Sequence, residues 1–170
     1  MMIILSIISL IFSFLLQGII TNFISFNVNS LSIFSSVFVL VNLVVLQEYF
    51  ESDKKFIILF LVFGLFMDIV YNSTVLISCF IFFAVFYINK GLNFFLPYNL
   101  LTVNLFSVVS MIVYHFITFL FLIIIRYDVF PFVYLFKIIG CNLLMTVIYT
   151  SIMYSLIKYI VKKFELRVVR

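Results

Sequence analysis

Charged residues are scarce in this chain, and their scarcity excludes a soluble globular domain. Only 9% of the 170 residues are charged and 67% are hydrophobic, where an ordinary soluble domain has about 25% and 45–50%. Ten basic and six acidic side chains are too few to cover the core that a soluble domain of this length would bury. The remaining solvent for so many apolar side chains is lipid.

Histidine, cysteine and glycine are also scarce, and each shortage removes a class of site. The single histidine, His115, cannot make a histidine-based metal site within one chain, so we interpret it as a hydrogen-bonded interior group. Cys79 and Cys141 lie in apolar runs, where a free thiol behaves as a small hydrophobic group, and we infer no disulfide, metal or redox role. No Gly-rich phosphate loop, His-Glu-x-x-His motif or serine nucleophile elbow occurs. The sequence therefore predicts no enzyme and no cofactor.

Six long apolar runs make up most of what the sequence does contain. At about 20 residues per span, the chain has room for six or seven membrane helices and for no separate soluble domain. The predicted fold is an all-α integral membrane protein, a six-transmembrane-helix bundle that forms one polytopic membrane domain over residues 1–170. The predicted helices cover approximately residues 3–20, 31–46, 56–71, 75–88, 100–125 and 132–160. The third and fourth are short for full spans, so we expect them to be tilted or broken where they meet.

The distribution of basic residues predicts how these spans are oriented. Basic residues resist translocation across a membrane and therefore accumulate in cytoplasmic loops. With six spans and both termini cytoplasmic, the outer side holds only Arg126, and the inner side holds Lys54, Lys55, Lys90, Lys158, Lys162, Lys163, Arg167 and Arg170. This asymmetry predicts cytoplasmic termini, and it explains the net charge of +4 without a nucleic-acid partner.

Polar side chains recur at helical spacing inside the apolar runs. Because lipid offers them no hydrogen-bond partner, we expect them to face the interior of the bundle. Such faces ordinarily hold helices together, and a ligand cavity is the alternative. The faces comprise Ser6, Ser9, Ser13 and Gln17 in the first helix, Ser32, Ser35 and Asn42 in the second, Asn104, Ser107, His115 and Thr118 in the fifth, and Asn142, Thr146 and Tyr149 in the sixth.

Asp68 differs from these residues because it is ionisable. A charged group within a span costs at least a few kcal/mol, so an intramembrane acid is a candidate functional residue. Asp68 lies about twelve residues, or roughly 18 Å of helix, into the third run, and Lys137 of the sixth run should reach a similar depth. Two interpretations stay open. Asp68 forms an ion pair with Lys137, or it satisfies backbone N–H groups in the turn around Asn72 and Ser73.

The run Gly64-Leu-Phe-Met-Asp68-Ile-Val-Tyr71-Asn-Ser73, with apolar helices on both sides, resembles the Gly-x-x-x-Asp-x-x-x-x-Ser signature of the rod shape-determining protein MreD family. A first helix that ends in Leu15-Leu16-Gln17, a charged cluster before the third helix, and Asn142 ahead of a basic tail are similar to the layout of that family. Family members often have a second glycine after the serine, where this chain has Val75, Leu76 and Ile77.

The resemblance implies a non-enzymatic, multi-pass component of the bacterial cell-elongation machinery, which maintains rod shape through peptidoglycan synthesis. Its location would be the bacterial cytoplasmic (inner) membrane. Besides the lipid bilayer, the implied partners are MreC, the MreB filament, RodA and a class B penicillin-binding protein. The candidate structural and interaction residues are Gln17, Gly64, Asp68, Ser73, His115, Lys137 and Asn142.

Two other classes of membrane protein stay open. A substrate-binding subunit of an energy-coupling-factor vitamin transporter has a similar size and six helices. It would have a deep pocket that opens outward and a small-x-x-x-small motif on its first helix, of which Ser9 and Ser13 are a weak version. A small lipid-modifying enzyme would need clustered acids, or a His and Asp pair, near one interface, and the sequence lacks both.

Overall fold

A computed structural model describes residues 2–23, 37–50, 53–72, 76–124 and 132–164 of the chain. The described part is 93% helical and contains no strand. Its elements are α1 (Met2–Phe23), α2 (Phe38–Leu46), α3 (Asp53–Met67), α4 (Ile77–Phe95), α5 (Leu100–Ile124) and α6 (Val133–Lys163). A 3₁₀ turn, Gln47–Tyr49, follows α2, and a π-helical turn, Asp68–Asn72, follows α3.

Four of these helices are long and apolar enough to cross a membrane. They contain the segments Met2–Thr21, Ile77–Phe95, Leu100–Ile124 and Leu135–Lys163. The prediction of an all-helical fold with several apolar helices long enough to span a membrane is therefore confirmed. The described part of α2 and the regular part of α3 are shorter than a span, so the six-span count and the side of each terminus stay predictions.

α2 forms the centre of the bundle. Every one of its residues from Phe38 to Leu46 is buried, and the helix contacts α1, α4, α5 and α6. A helix that is apolar on all sides has to be surrounded by other helices or by lipid, and here it is surrounded by helices. Residues 31–36, where the second predicted helix begins, lie outside the described residues.

The later helices pack against one another in chain order, with α3 against α4, α4 against α5, and α5 against α6. Phenylalanine rings fill the interface of α3 and α4. The ring of Phe60 lies 5.1 Å from Phe56 and 5.6 Å from Phe86, with edge-to-face geometry in both pairs. Such pairs contribute about 0.5–1.5 kcal/mol each beyond the area they bury.

α4 is longer than the sequence predicts. The helix extends beyond the predicted end near residue 88 and continues to Phe95. Asn89 is fully buried, and its Nδ2 donates a hydrogen bond to Ser110 Oγ of α5 at 2.9 Å, so this polar residue lies inside the bundle. The helix ends where Leu96 becomes extended, with φ −124° and ψ 132°, as expected for the residue before Pro97.

Candidate functional site

α4 begins without a capping side chain of its own. Leu76, the residue before the helix, has a left-handed backbone with φ 70°, and its side chain makes no cap hydrogen bond. It is the one non-glycine residue with a positive φ in the described part of the chain. The first N–H groups of a helix lack intrahelical acceptors, and leaving them unpaired in an apolar interior costs free energy. The start of α4 therefore needs an acceptor from elsewhere.

Asp68 supplies that acceptor from the end of α3. Both of its carboxylate oxygens accept a hydrogen bond from the backbone N–H of Ser78, at 3.0 and 2.9 Å. Ser78 is the second residue of α4, a position whose N–H an N-cap side chain normally binds. A negative charge at a helix N-terminus is further stabilised by the helix dipole. Fully buried Asp68 thus acts as the N-cap of a neighbouring helix.

Gly64, one helical turn before Asp68, allows α4 to approach α3 this closely. A Cβ atom at Gly64 would lie 2.9 Å from the Cα atom of Cys79, a backbone atom that cannot move aside. The Cys79 thiol also donates a hydrogen bond to the Leu61 carbonyl at 3.0 Å. The two positions of the Gly-x-x-x-Asp pattern therefore serve one structure, which we call the α3–α4 junction and define by Gly64, Asp68, Ser78 and Cys79.

The π-helical turn that Asp68 opens also contacts α1. Tyr71 lies in this turn and donates a hydrogen bond to the Phe14 carbonyl at 2.8 Å. A Cβ atom at Gly18 of α1 would clash with the Tyr71 hydroxyl, so the absence of a side chain at Gly18 lets Tyr71 pack against α1. Single π-helical turns are rare and often occur at functional sites. The end of α3 is thereby held to α1 as well as to α4.

Gln17 performs a second capping role close to the junction. Its Oε1 accepts a hydrogen bond from the backbone N–H of Val39 at 3.3 Å, and its Nε2 contacts Met67 Sδ at 3.6 Å. Val39 is the second residue of α2, whose N-cap residue Val37 makes no side-chain cap bond. Gln17 therefore joins α1, the start of α2 and the end of α3.

A buried polar network joins α1, α2 and α6 further into the bundle. Ser13 Oγ accepts hydrogen bonds from Asn42 Nδ2 and from the Tyr149 hydroxyl, both at 2.7 Å, and donates to the Ser9 carbonyl. Asn42 is fully buried, and its Oδ1 has no hydrogen-bond partner among the described residues. The predicted interior location of these polar faces is confirmed for Ser13, Asn42 and Tyr149.

The other candidate residues lie apart from the junction. His115 is buried on α5 beside Tyr114, and its Nε2 has no hydrogen-bond partner among the described residues. Asn142 is buried on α6 and donates from Nδ2 to the Ile138 carbonyl at 2.8 Å. Lys137 is half-buried near the start of the same helix, and its ion pair with Asp68 stays a prediction. Ser73 lies outside the described residues.

Comparison of the chain with family models, with curated proteins and with solved structures finds no match. No three His, Cys, Asp or Glu side chains within the described ranges form a group that could hold a metal ion. The geometry of the junction is therefore the observation on which a functional proposal has to rest.

Three residues that build this region were not singled out from the sequence. Ser78 contributes through its backbone N–H, and a backbone group leaves no signal in residue type. Tyr71 and Gly18 meet across about fifty residues of sequence, and neither residue type marks such a pairing. Gln17 and Asp68 could be found because polar groups in apolar runs are costly.

Proposed function

We propose that this protein is a multi-pass, non-enzymatic component of the cell-elongation machinery of a bacterial cytoplasmic membrane. The observation that carries the proposal is the α3–α4 junction, in which Gly64 and Asp68 of the MreD-like signature hold two helices together. A carboxylate whose two oxygens bind the backbone of α4 organises helices and has no need of a substrate. The protein would then act through the shape of its helix faces.

Six spans with both termini in the cytoplasm are part of this proposal. Tyr98, between α4 and α5, donates a hydrogen bond to the Val45 carbonyl of α2, and its ring lies 6.0 Å from that of Tyr154 on α6. Partial burial raises the pKa of Glu48, next to α2, and the positive charge of Lys158 on α6 opposes that rise. These interactions bring the ends of α2, α4 and α6 together, which supports an arrangement in which most basic residues lie on one side of the membrane. A reporter fused after Arg170 that is active only outside the cell should be silent.

The partners would be bound through lipid-facing surfaces and through the end of the bundle that carries most of the basic residues, which we call the basic end. α1 packs mainly on α2 and exposes a continuous apolar face made of Ile3, Ile4, Ile7, Ile8, Ile11, Phe12, Leu15 and Ile19. A face of this kind fits the membrane helices of MreC, RodA or a class B penicillin-binding protein. The MreB filament lies in the cytoplasm, so we assign its contact to the basic end.

The alternative of a vitamin-transporter subunit places a docking motif at Ser9 and Ser13. In the structure Ser13 is fully buried and bound to Asn42 and Tyr149, so it does not lie on an exposed docking face. This observation favours the elongation proposal over the transporter.

Depletion of the protein from a rod-shaped host tests the proposal. We expect cells to become round and wide while vitamin uptake stays normal. Re-expression of the wild-type chain or of Gly91→Ala, which adds a methyl group in open space, should restore rods, whereas Asp68→Ala should not. A vitamin auxotrophy in cells of normal shape would contradict the proposal and favour the transporter subunit.

A further inference from the structure

The C-terminal end of α6 concentrates positive charge on exposed side chains. Lys158, Lys162 and Lys163 all lie in the last two turns of the helix and are exposed. Arg167 and Arg170 follow in the sequence, and Glu165 is the only acidic residue among the last thirteen positions. We call Lys158, Lys162 and Lys163 the α6 lysine cluster.

Two of these lysines lie over tyrosine rings one helical turn earlier. Lys158 Nζ is 5.3 Å from the centroid of the Tyr154 ring, and Lys163 Nζ is 5.8 Å from that of Tyr159. Tyrosine is enriched at the headgroup level of a membrane, where its ring is apolar and its hydroxyl is hydrated. The Tyr159 ring is exposed and thus holds the Lys163 ammonium group at the depth of lipid headgroups, whereas the Tyr154 ring is buried in the bundle and holds Lys158 at the bundle edge.

The length of α6 places the cluster at this depth. A helix of 31 residues is roughly 46 Å long, whereas the hydrocarbon core of a bilayer is about 30 Å thick. The apolar part therefore fills the core, and the surplus carries the lysines into the phosphate layer. Tyr98 connects the end of α2 to α6 through the Val45 carbonyl and the Tyr154 ring. Lys54 and Lys55 are exposed at the start of α3, shortly after that end of α2, so they add positive charge at the same end of the bundle as the α6 lysine cluster.

We propose that the α6 lysine cluster is a binding surface for anionic phospholipid headgroups, with the exposed Tyr159 setting its depth and the three ammonium groups binding lipid phosphates. Lipid is the occupant because the cluster continues the apolar surface of a membrane helix, on which Leu156 and Tyr159 are exposed. The inference needs only that the protein lies in a membrane, and it does not depend on the proposed role in cell elongation.

The test uses the full chain in nanodiscs of phosphatidylcholine with a minor fraction of phosphatidylglycerol. The lipids that remain bound after exchange into neutral detergent are counted by native mass spectrometry. Lys158→Gln, Lys162→Gln and Lys163→Gln are combined in one variant, and Lys→Arg at the same positions is the matched control that keeps the charge. A basic residue near an anionic surface contributes about 1 kcal/mol, which is roughly fivefold in affinity. The ratio of retained phosphatidylglycerol to phosphatidylcholine should therefore be at least about tenfold lower for the Gln variant than for the wild-type chain.

We expect the wild-type chain and the Arg variant to retain phosphatidylglycerol over phosphatidylcholine, with a preference that weakens as salt is added. An unchanged preference in the Gln variant, or equal retention of both lipids by the wild-type chain, would overturn the proposal. Displacement of the lipid by millimolar inorganic phosphate would also overturn it, since the cluster would then be a site for soluble anions. All three lysines are exposed, so the thermal midpoint of the Gln variant in neutral detergent should match the wild type.

Discussion

α2 and α4 both begin inside the bundle without a cap of their own, but their neighbours solve this problem with different chemistry. α2 receives a neutral amide oxygen, Gln17 Oε1, at 3.3 Å from the Val39 nitrogen. α4 receives both oxygens of a carboxylate, Asp68, at 3.0 and 2.9 Å from the Ser78 nitrogen. Hydrogen bonds to a charged group are shorter and roughly twice as strong as neutral ones. The α4 start should therefore depend more on its cap than the α2 start does.

The two starts also differ in what surrounds them. α2 is enclosed on all sides by other helices, so its burial stabilises it whatever happens at its N-terminus. α4 exposes one side, with Phe80, Tyr87 and Phe94 facing outward, and its first turn follows a left-handed residue. An intramembrane acid is costly. The comparison indicates that this cost is offset by capping α4, which is less enclosed than α2 and begins after a left-handed residue.

Replacement of Asp68 should have the largest effect. Asp68→Ala leaves the Ser78 N–H buried without an acceptor and removes a favourable charge from the helix N-terminus, and we expect a loss of about 3 kcal/mol in unfolding free energy. Asp68→Asn keeps an acceptor oxygen and should lose about 1 kcal/mol. Unfolding of the purified variants in detergent measures both. Equal losses would show that the acceptor oxygen does not matter.

Gly64→Ala should have the second-largest effect. The added methyl group would meet the Cys79 backbone at 2.9 Å, so α3 and α4 would have to separate, at a cost of about 1–3 kcal/mol. Gly91→Ala is the control on α4, because its methyl group meets nothing within 4 Å and alanine favours the helix by about 1 kcal/mol. The same unfolding measurement compares them. A Gly64→Ala variant as stable as Gly91→Ala would contradict the close approach at the junction.

Gln17→Leu should have the smallest effect of the three. It removes the acceptor of the Val39 N–H, but the long hydrogen bond and the burial of α2 limit the expected loss to about 1 kcal/mol. If Gln17→Leu proves as damaging as Asp68→Ala, the contrast between the neutral and the charged cap is wrong. Thermal midpoints of the two variants, measured in the same detergent, make this comparison directly.

The sequence was sufficient to predict the long apolar helices and the polar residues that the bundle buries, because both follow from the cost of placing a polar group in lipid. It also marked Asp68 as exceptional. Residue type did not show that Asp68 reaches Ser78, since that contact requires a π-helical turn and a left-handed Leu76, and leucine has no preference for such a backbone.

The misplaced end of α4 has a similar origin. Asn89 with Lys90 and Gly91 is typical of a loop, yet Asn89 pairs with Ser110 on a helix that comes later in the chain. A local pattern does not contain a partner that is 21 residues away, and tertiary pairing decided the outcome. The same limit applies to the hydrogen bond between Tyr149 and Ser13, which lie 136 residues apart.

Hydrogen exchange at the start of α4 tests the central claim, that Asp68 caps this helix, most directly. In wild-type protein the Ser78 amide should exchange slowly. In Asp68→Ala it should exchange much faster while amides in the middle of α4 stay protected, and Lys137→Gln should leave the Ser78 amide protected. A Ser78 amide that is equally protected in wild type and Asp68→Ala would contradict the account.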